Sequence, residues 1–249
     1  MKLENVIAER ATKTVYRDGN KTVKLFNADF PKSEVLAQAK NQALVEEIDI
    51  NIPKLLEVGN IDGRWMIVSE YVEGTPLDKL MRDNPHKVDE YLDKFVDLQI
   101  KVHSKRCAGL IKLKDKMHAK IDQTELDDTV KYELHNRLTG MPKHNKVCHG
   151  DFNPSNVIVR DDGEMYIIDW SHVTQGNASA DVARTYLIFV LNGYKELAEK
   201  YMDMFCRKTD TKISYVQKWL PIVAASQSVK GNPEEKELLL SWANVVDFE

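Results

Sequence analysis

The chain has 249 residues, of which 43% are hydrophobic and 30% are charged, and its 35 basic and 39 acidic side chains give a net charge of −4. This composition is typical of a globular protein with a sizeable hydrophobic core. The balanced charge and the lack of a long basic run argue against a nucleic-acid or membrane-surface partner.

The longest strongly apolar run, residues 186–191, is too short to cross a bilayer. Charged residues interrupt the first ten positions, so the sequence predicts no secretory signal. Three cysteines, Cys107, Cys148 and Cys206, are odd in number and far apart, which is typical of free thiols in a reducing compartment. We therefore expect a cytoplasmic protein.

Residues 5–26 predict β-structure. Two runs of strand-forming residues, 14–16 and 22–26, flank an Asp-Gly pair of the kind that turns a hairpin, and Lys24 lies in the second run between apolar neighbours.

A helix is predicted next, over residues 32–47, because Pro31 can open a helix and apolar residues recur along one side. Residues 52–58 and 65–72 then predict two strands separated by a turn.

From Pro76 the pattern becomes helical. Apolar residues at helical spacing and helix-forming runs predict helices at 87–105, 110–122, 125–137 and 179–191, with a helical pattern from 194 to 248. The helix at 125–137 begins with Glu125, Asp127 and Asp128. Acids there fit a solvated helix N-terminus, while binding of a polycation is the alternative.

The stretch from Val147 to Trp170 carries the strongest chemical pattern. Asp151 is followed five residues later by Asn156, then by two β-branched or apolar runs around an Asp-Asp-Gly turn, and then by Asp169. The runs predict a hairpin that brings Asn156 and Asp169 together. One carboxylate and one amide, with other positions left to water and phosphate, form a ligand set that Mg²⁺ accepts.

The order His-Gly-Asp-x-x-Pro-x-Asn, a hairpin, and an aspartate followed by Trp170 resembles the aminoglycoside phosphotransferase and choline kinase superfamily of protein-kinase-like small-molecule kinases. The resemblance implies an α+β, protein-kinase-like two-lobed fold. A small β-rich nucleotide-binding lobe would span residues 1–73, and a larger, mainly helical catalytic and substrate-binding lobe would span 74–249.

The resemblance also implies roles for individual residues. Asp151 would position the acceptor hydroxyl and receive its proton, while Asn156 and Asp169 would hold Mg²⁺. Lys24 would hold the α- and β-phosphates of ATP, and the backbone from Glu70 to Val72 would bind the adenine edge. His149 and Asp181 would support the site structurally.

The sequence departs from the protein-kinase pattern in two places. Residues 8–15 contain no glycine, so Arg10, Thr12 and Thr14 are candidates to cover the phosphates instead. The resemblance also implies that a glutamate of the helix pairs with the strand lysine. The acidic candidates, Glu34, Glu46 and Glu47, lie near the helix ends, whereas the middle of the helix has Gln38 and Gln42.

These expectations describe an enzyme that uses ATP, or GTP, and Mg²⁺ to phosphorylate an alcohol group of a small molecule. A nucleotide-binding regulatory protein with little catalysis is the alternative. Protein kinase activity is disfavoured because Phe-Gly does not follow Asp169. The sequence does not identify the acceptor. Residues 1–73 and 74–249 each have a net charge of −2, so neither predicted lobe has an acidic excess that would indicate a polycationic acceptor. The acidic end at 247–249 could still bind a cationic acceptor locally.

Overall fold

The computed structural model describes residues 3–229 and 233–245, so the acidic end at 247–249 lies outside it. The strands in these ranges are β1 Asn5–Arg10, β2 Lys13–Asp18, β3 Lys21–Phe26, β4 Leu55–Ile61, β5 Arg64–Glu70, β6 Thr75–Pro76, β7 Lys146–Cys148, β8 Val157–Val159, β9 Met165–Ile167 and β10 Thr174–Gly176. The helices are α1 Lys32–Val45, α2 Leu77–Asp83, α3 Val88–Ser104, α4 Leu113–Asp122, α5 Asp128–Gly140, α6 Ala178–Leu191, α7 Lys195–Thr209, α8 Ile213–Gln217, α9 Leu220–Ser228 and α10 Pro233–Ala243.

The chain forms two compact units. The first contains the described residues up to Pro85 together with Cys107–Gly109 and Pro154–His172, and the second contains the rest. The units therefore differ from the predicted division at residue 73, because the hairpin that follows Asp151 packs with the N-terminal part of the chain. The assignment of functions to the two predicted lobes stays a prediction.

The first unit is built on an antiparallel sheet in the order β1-β2-β3-β5-β4. Because strand side chains alternate between faces, Val23 and Val68 pack in a cluster on one face, while Phe26 and Ile67 pack on the other against Val35 of α1. The predicted hairpin at 14–26 is present as β2 and β3.

The third predicted strand begins later than expected. Residues 52–58 were predicted as a strand, whereas β4 starts at Leu55 and runs to Ile61. Pro53 has no N–H to donate to a ladder, and the turn falls at Asp62 and Gly63, both in the left-handed region.

A smaller sheet in the order β6-β8-β9 completes the first unit. It contains the predicted hairpin of β8 and β9 and adds β6, which is too short to be recognised from the sequence. Gly74, at φ +149, allows the chain to enter this sheet, since a Cβ there would lie 2.5 Å from the carbonyl oxygen of Val159. Glycine alone tolerates both conditions.

The second unit is mainly helical, with β7 and β10 paired antiparallel. Its aromatic core includes Phe95, stacked on Phe152 with ring centroids 4.5 Å apart, and Tyr201, 6.0 Å from Phe95. Together, the sheets of the first unit and the helices of the second confirm the predicted α+β class. No helix in the described residues is long and apolar enough to span a membrane.

The predicted acidic helix is α5, and two of the three acids at its start, Glu125 and Asp127, have partners within the protein. Asp127 caps the helix by accepting a hydrogen bond from the N–H of Val130 at 2.9 Å. Glu125 forms an ion pair with Lys236 at 2.5 Å. These contacts favour the interpretation of a solvated helix N-terminus over a polycation site.

Helices α4 and α5 are joined by a pair of histidines. The Nδ1 atoms of His118 and His135 lie 2.7 Å apart, and Nε2 of His135 lies 2.9 Å from a carboxylate oxygen of Asp122. One Nδ1 must accept, so the pair cannot hold its hydrogen bond with both rings fully protonated. Burial, followed by the nearby His135 and Lys114, lowers the pKa of His118.

We expect the free energy of unfolding to decrease as the pH falls below about 6.5, the ordinary pKa of histidine. The pKa of His118 is lower in the folded protein than in the unfolded chain, so the unfolded chain binds the proton at a higher pH. The stability that neutral His118 contributes is therefore lost as the pH falls from the unfolded pKa through the folded pKa. Urea denaturation at pH 7.5 and 5.5 measures the change. In His118→Phe, which keeps a ring but cannot titrate, the free energy of unfolding should decrease less between the two pH values. An equal decrease in both proteins would show that His118 does not cause the pH dependence.

Candidate active site

The hairpin of β8 and β9 sets Asn156 and Asp169 beside each other. Val157 faces Ile167 across the hairpin, and one step further out the N–H of Ile168 donates to the carbonyl oxygen of Asn156 at 2.9 Å. Asp169 follows with φ +59, a left-handed conformation uncommon for a residue other than glycine. Such backbone conformations concentrate at functional sites.

Two lysines hold the Asp169 carboxylate. Nζ of Lys24 lies 3.0 Å from Oδ1, and Nζ of Lys13 lies 3.4 Å from Oδ2. Burial alone would raise the pKa of Asp169, but the two ammonium groups outweigh it and hold that pKa far below its usual range. Burial and the neighbouring Lys24 in turn lower the pKa of Lys13. The site therefore presents an ionised carboxylate together with two cations.

The oxygen ligands that Asp169 and Asn156 offer are suitable for a hard divalent cation. Across residues 3–229 and 233–245, no group of three or more His, Cys, Asp or Glu side chains is placed to hold a metal ion. Asp169 and Asn156 offer a carboxylate and an amide oxygen instead. Mg²⁺ keeps several waters and is commonly bound by one or two carboxylates together with substrate phosphates, so these two residues suit it.

Four of the five helix residues proposed as partners of Lys24 are engaged elsewhere or exposed. The Gln42 amide donates to the carbonyl oxygen of Pro53, and the Glu46 carboxylate accepts from the N–H of Leu55. Glu34 and Glu47 are exposed. The buried Oε1 of Gln38 has no hydrogen-bond partner among the described residues, so the expected hydrogen bond from Lys24 to Gln38 is absent. The lysine is held by Asp169 instead.

The predicted adenine-binding linker, Glu70 to Val72, begins at the last residue of β5. The N–H of Glu70 donates to Lys54 O at 2.9 Å, and the N–H of Tyr71 donates to Asn20 O at 2.8 Å. These bonds occupy the N–H groups of Glu70 and Tyr71, so the N–H of Val72 and the carbonyl groups of the linker are the candidates for the adenine edge.

In the second unit, Asp181 anchors the loop that carries Asp151. Its carboxylate accepts from the N–H of His149 at 3.1 Å and from that of Gly150 at 2.7 Å, and Nε2 of His103 lies 3.0 Å away. Burial would raise the pKa of Asp181, but hydrogen bonds from His103 and Gly150 lower it. Gly150 has φ +79, a conformation that favours glycine. The loop backbone is thus pinned by one buried, ionised side chain.

The same loop is held from its other end by a buried polar chain. The hydroxyl of Thr185 donates to Phe152 O at 2.7 Å and accepts from the Gln99 amide at 3.3 Å, and Tyr201 OH donates to Gln99. The Phe152 ring is fully buried. The residue after Asp151 is therefore fixed through both its side chain and its carbonyl group.

Asp151 itself lies beside a buried guanidinium. Nη2 of Arg184 is 3.6 Å from its Oδ1, and the Arg184 side chain is only 11% exposed. Nη1 of Arg184 donates to Gln227, whose amide donates to Glu235 at 2.8 Å. The N–H of Asp151 donates to Nδ1 of His149 at 3.2 Å, which leaves the proton of a neutral His149 ring on Nε2. The guanidinium therefore lies beside the Asp151 carboxylate, while His149 holds the backbone of the same residue.

Cys148 is not placed to act as a nucleophile. Its thiol is fully buried and lies 3.5 Å from the carbonyl oxygen of Asn177. Burial and the nearby Asp181 raise its pKa well above the usual value, which removes the reactive thiolate form.

The structure adds Lys13, Arg184 and Thr185 to the residues recognised in the sequence. A signal for two of them was present, since Asp181, Arg184 and Thr185 fall at i, i+3 and i+4 in the otherwise largely apolar α6. Polar residues at that spacing share one helix face. No comparable local pattern marks Lys13.

The sequence model of the phosphotransferase enzyme family matches residues 6–214. The chain belongs to this phosphotransferase family. No curated protein matches its sequence. Similarity to solved structures covers 90% to 95% of the chain.

The fold is similar to that of several solved phosphotransferases at low sequence identity. Aminoglycoside phosphotransferase APH(4)-Ia has a TM-score of 0.70 and 17% identity, with 95% of this chain and 90% of that chain covered. Choline kinase LicA from Streptococcus pneumoniae has a TM-score of 0.65 and 18% identity, with 95% and 86% covered. Aminoglycoside-3'-phosphotransferase of type VIII has a TM-score of 0.63 and 17% identity, with 90% and 92% covered. This likeness confirms the predicted fold class.

We expect Asp181→Asn to lower the free energy of unfolding by about 3 kcal/mol, because it removes a buried charge that serves two backbone N–H groups and His103. Urea denaturation at pH 7.5 measures the loss. Asp203→Asn, which breaks an exposed ion pair with Arg207 in the same unit, should change stability by less than about 0.5 kcal/mol. Equal effects of the two substitutions would show that Asp181 does not anchor the loop.

Proposed function

We propose that this phosphotransferase is a small-molecule kinase that transfers the γ-phosphoryl group of ATP to a hydroxyl group. The proposal is based on the position of Asn156 and Asp169 at the ends of one hairpin, together with the ion pair between Lys24 and Asp169 at 3.0 Å. This arrangement combines an ionised oxygen ligand, an amide oxygen and a cation, which are the groups that a metal–nucleotide complex requires.

In this proposal the nucleotide phosphates lie against Lys24, which holds the α- and β-phosphates. Asn156 and Asp169 hold Mg²⁺, which when bound neutralises phosphate charge and polarises the transferred group. The linker contributes the carbonyl of Glu70 and the N–H of Val72 to the adenine edge. Recognition through the backbone imposes little on the side chains of the linker, so their identity does not indicate the base.

Asp151 positions the acceptor hydroxyl and receives its proton. In a loose phosphoryl-transfer transition state the bond to the leaving group is largely broken before the hydroxyl loses its proton, so alignment counts more than basicity. The contacts of this loop serve alignment: Asp181 and His149 fix its backbone, and Arg184 lies beside the Asp151 carboxylate. We propose Arg184, His149 and Asp181 as positioning residues.

The acceptor is proposed only as the alcohol group of a small molecule. APH(4)-Ia has been solved in ternary complexes with hygromycin B and either ADP or AMP-PNP, and LicA has been solved with AMP. Aminoglycosides and choline are therefore the first acceptors to test.

The test is Mg²⁺-dependent transfer of label from γ-labelled ATP to a panel of aminoglycosides, choline and other alcohols. A labelled product that disappears in Asp151→Asn would support the kinase. Tight nucleotide binding without transfer to any acceptor would instead favour a nucleotide-binding regulatory protein.

Substitutions at the two acids should separate catalysis from nucleotide binding. Asp151→Asn should lower kcat by about 10²-fold or more and leave the Kd for ATP within about threefold, because Asp151 contacts the acceptor. Asp169→Ala should weaken ATP binding in the presence of Mg²⁺. Steady-state kinetics and calorimetric titration measure both effects, with the exposed hairpin variant Asp162→Asn as control. Wild-type turnover in Asp151→Asn would contradict its role.

A further inference from the structure

The charge balance around Asp169 is uneven. One carboxylate faces two ammonium groups, with Lys24 on Oδ1 and Lys13 on Oδ2, at 3.0 and 3.4 Å. Lys13 is the less exposed of the two lysines, with 13% of its side chain accessible against 21% for Lys24. The cluster therefore holds a surplus positive charge in a partly buried position, which an anionic ligand would compensate.

Lys13 is held in place by the sheet. It is the first residue of β2 and pairs with Phe26, while Lys24 pairs with Val15 two residues further along β2. Because side chains two residues apart share a strand face, both lysines project from the same face of the sheet. The turn before Lys13 is tied down, since the N–H of Asn27 donates to Thr12 O at 2.9 Å and its side-chain amide donates to Ala11 O at 3.0 Å.

The turn between β1 and β2 lacks the usual means of approaching phosphate. Residues 8–15 contain no glycine, and glycine is what allows backbone N–H groups to come close to a phosphate group. A lysine side chain at the end of this turn can supply positive charge from a greater distance, as a point charge.

We infer that Lys13 is a second phosphate-binding residue of the nucleotide site, acting beside Lys24. The inference rests on the proposed function, because it assigns the surplus cation to the phosphates of the same nucleotide. In the structure Lys13 is paired with Asp169. With nucleotide bound, a phosphate oxygen would replace Oδ2 as its partner, and the Asp169 carboxylate would then be available to hold Mg²⁺. One ion pair is exchanged for another, so no ammonium group is left buried without a partner.

The test measures how affinity depends on the number of phosphates. ATP, ADP and AMP are titrated calorimetrically into the full chain with MgCl₂, using wild type, Lys13→Met, Lys13→Arg and Lys24→Met. Lys40→Met, which removes an exposed lysine of α1, controls for the change in net charge. Thermal melts followed by circular dichroism establish that each variant is folded.

Lys13→Met should weaken ATP binding about tenfold or more, as expected for the loss of a charge-assisted contact, while AMP binding changes less than about twofold. Lys13→Arg should restore most of the ATP affinity, and Lys40→Met should have no effect. A purely structural lysine would change ATP and AMP binding equally or leave both unchanged, and either result would overturn the inference.

The proposed function can fail separately. If Lys24→Met weakens ATP binding and Lys13→Met does not, the inference is wrong and the kinase proposal stands. If wild-type protein binds no ATP, both are wrong; if Lys24→Met binds ATP normally, the phosphate-binding role proposed for Lys24 is wrong.

Discussion

The ionised carboxylate of Asp169 is the group on which the first unit of this phosphotransferase depends. It follows the end of β9 in a left-handed conformation, at φ +59, and it forms ion pairs with the partly buried ammonium groups of both Lys24 and Lys13. A carboxylate that remains ionised although it is buried can form ion pairs within the fold, and its oxygens are also suitable ligands for a hard cation.

The second unit uses the same principle on the loop around Asp151. Asp181 is buried and ionised, and it stabilises the loop by accepting hydrogen bonds from its backbone rather than by packing. Thr185 and Arg184, one turn further along α6, reach Phe152 and Asp151. A single helix face thus controls the backbone, the carbonyl and the acid of the loop, and this is the rigidity that alignment of an acceptor hydroxyl would require.

Patterns that are local in the sequence predicted most of the fold and part of the site. The hairpin of β8 and β9, the order of Asp151, Asn156 and Asp169, and the α+β class each depend on residues close together in the chain. The pairing of Lys13 with Asp169 joins residues 156 positions apart, and nothing in the local sequence distinguishes Lys13 from an exposed lysine. The partner of Lys24 could not be predicted for the same reason: it depends on how α1 and the hairpin pack, which residue spacing does not determine.

The most direct measurement is a crystal structure with AMP-PNP and Mn²⁺, in which anomalous scattering locates the metal. We expect a metal ion ligated by Asp169 and Asn156 and by phosphate oxygens, with Lys24 against the α- and β-phosphates. A bound nucleotide whose metal lies away from Asp169 and Asn156, with Asp169 still paired to both lysines, would contradict it.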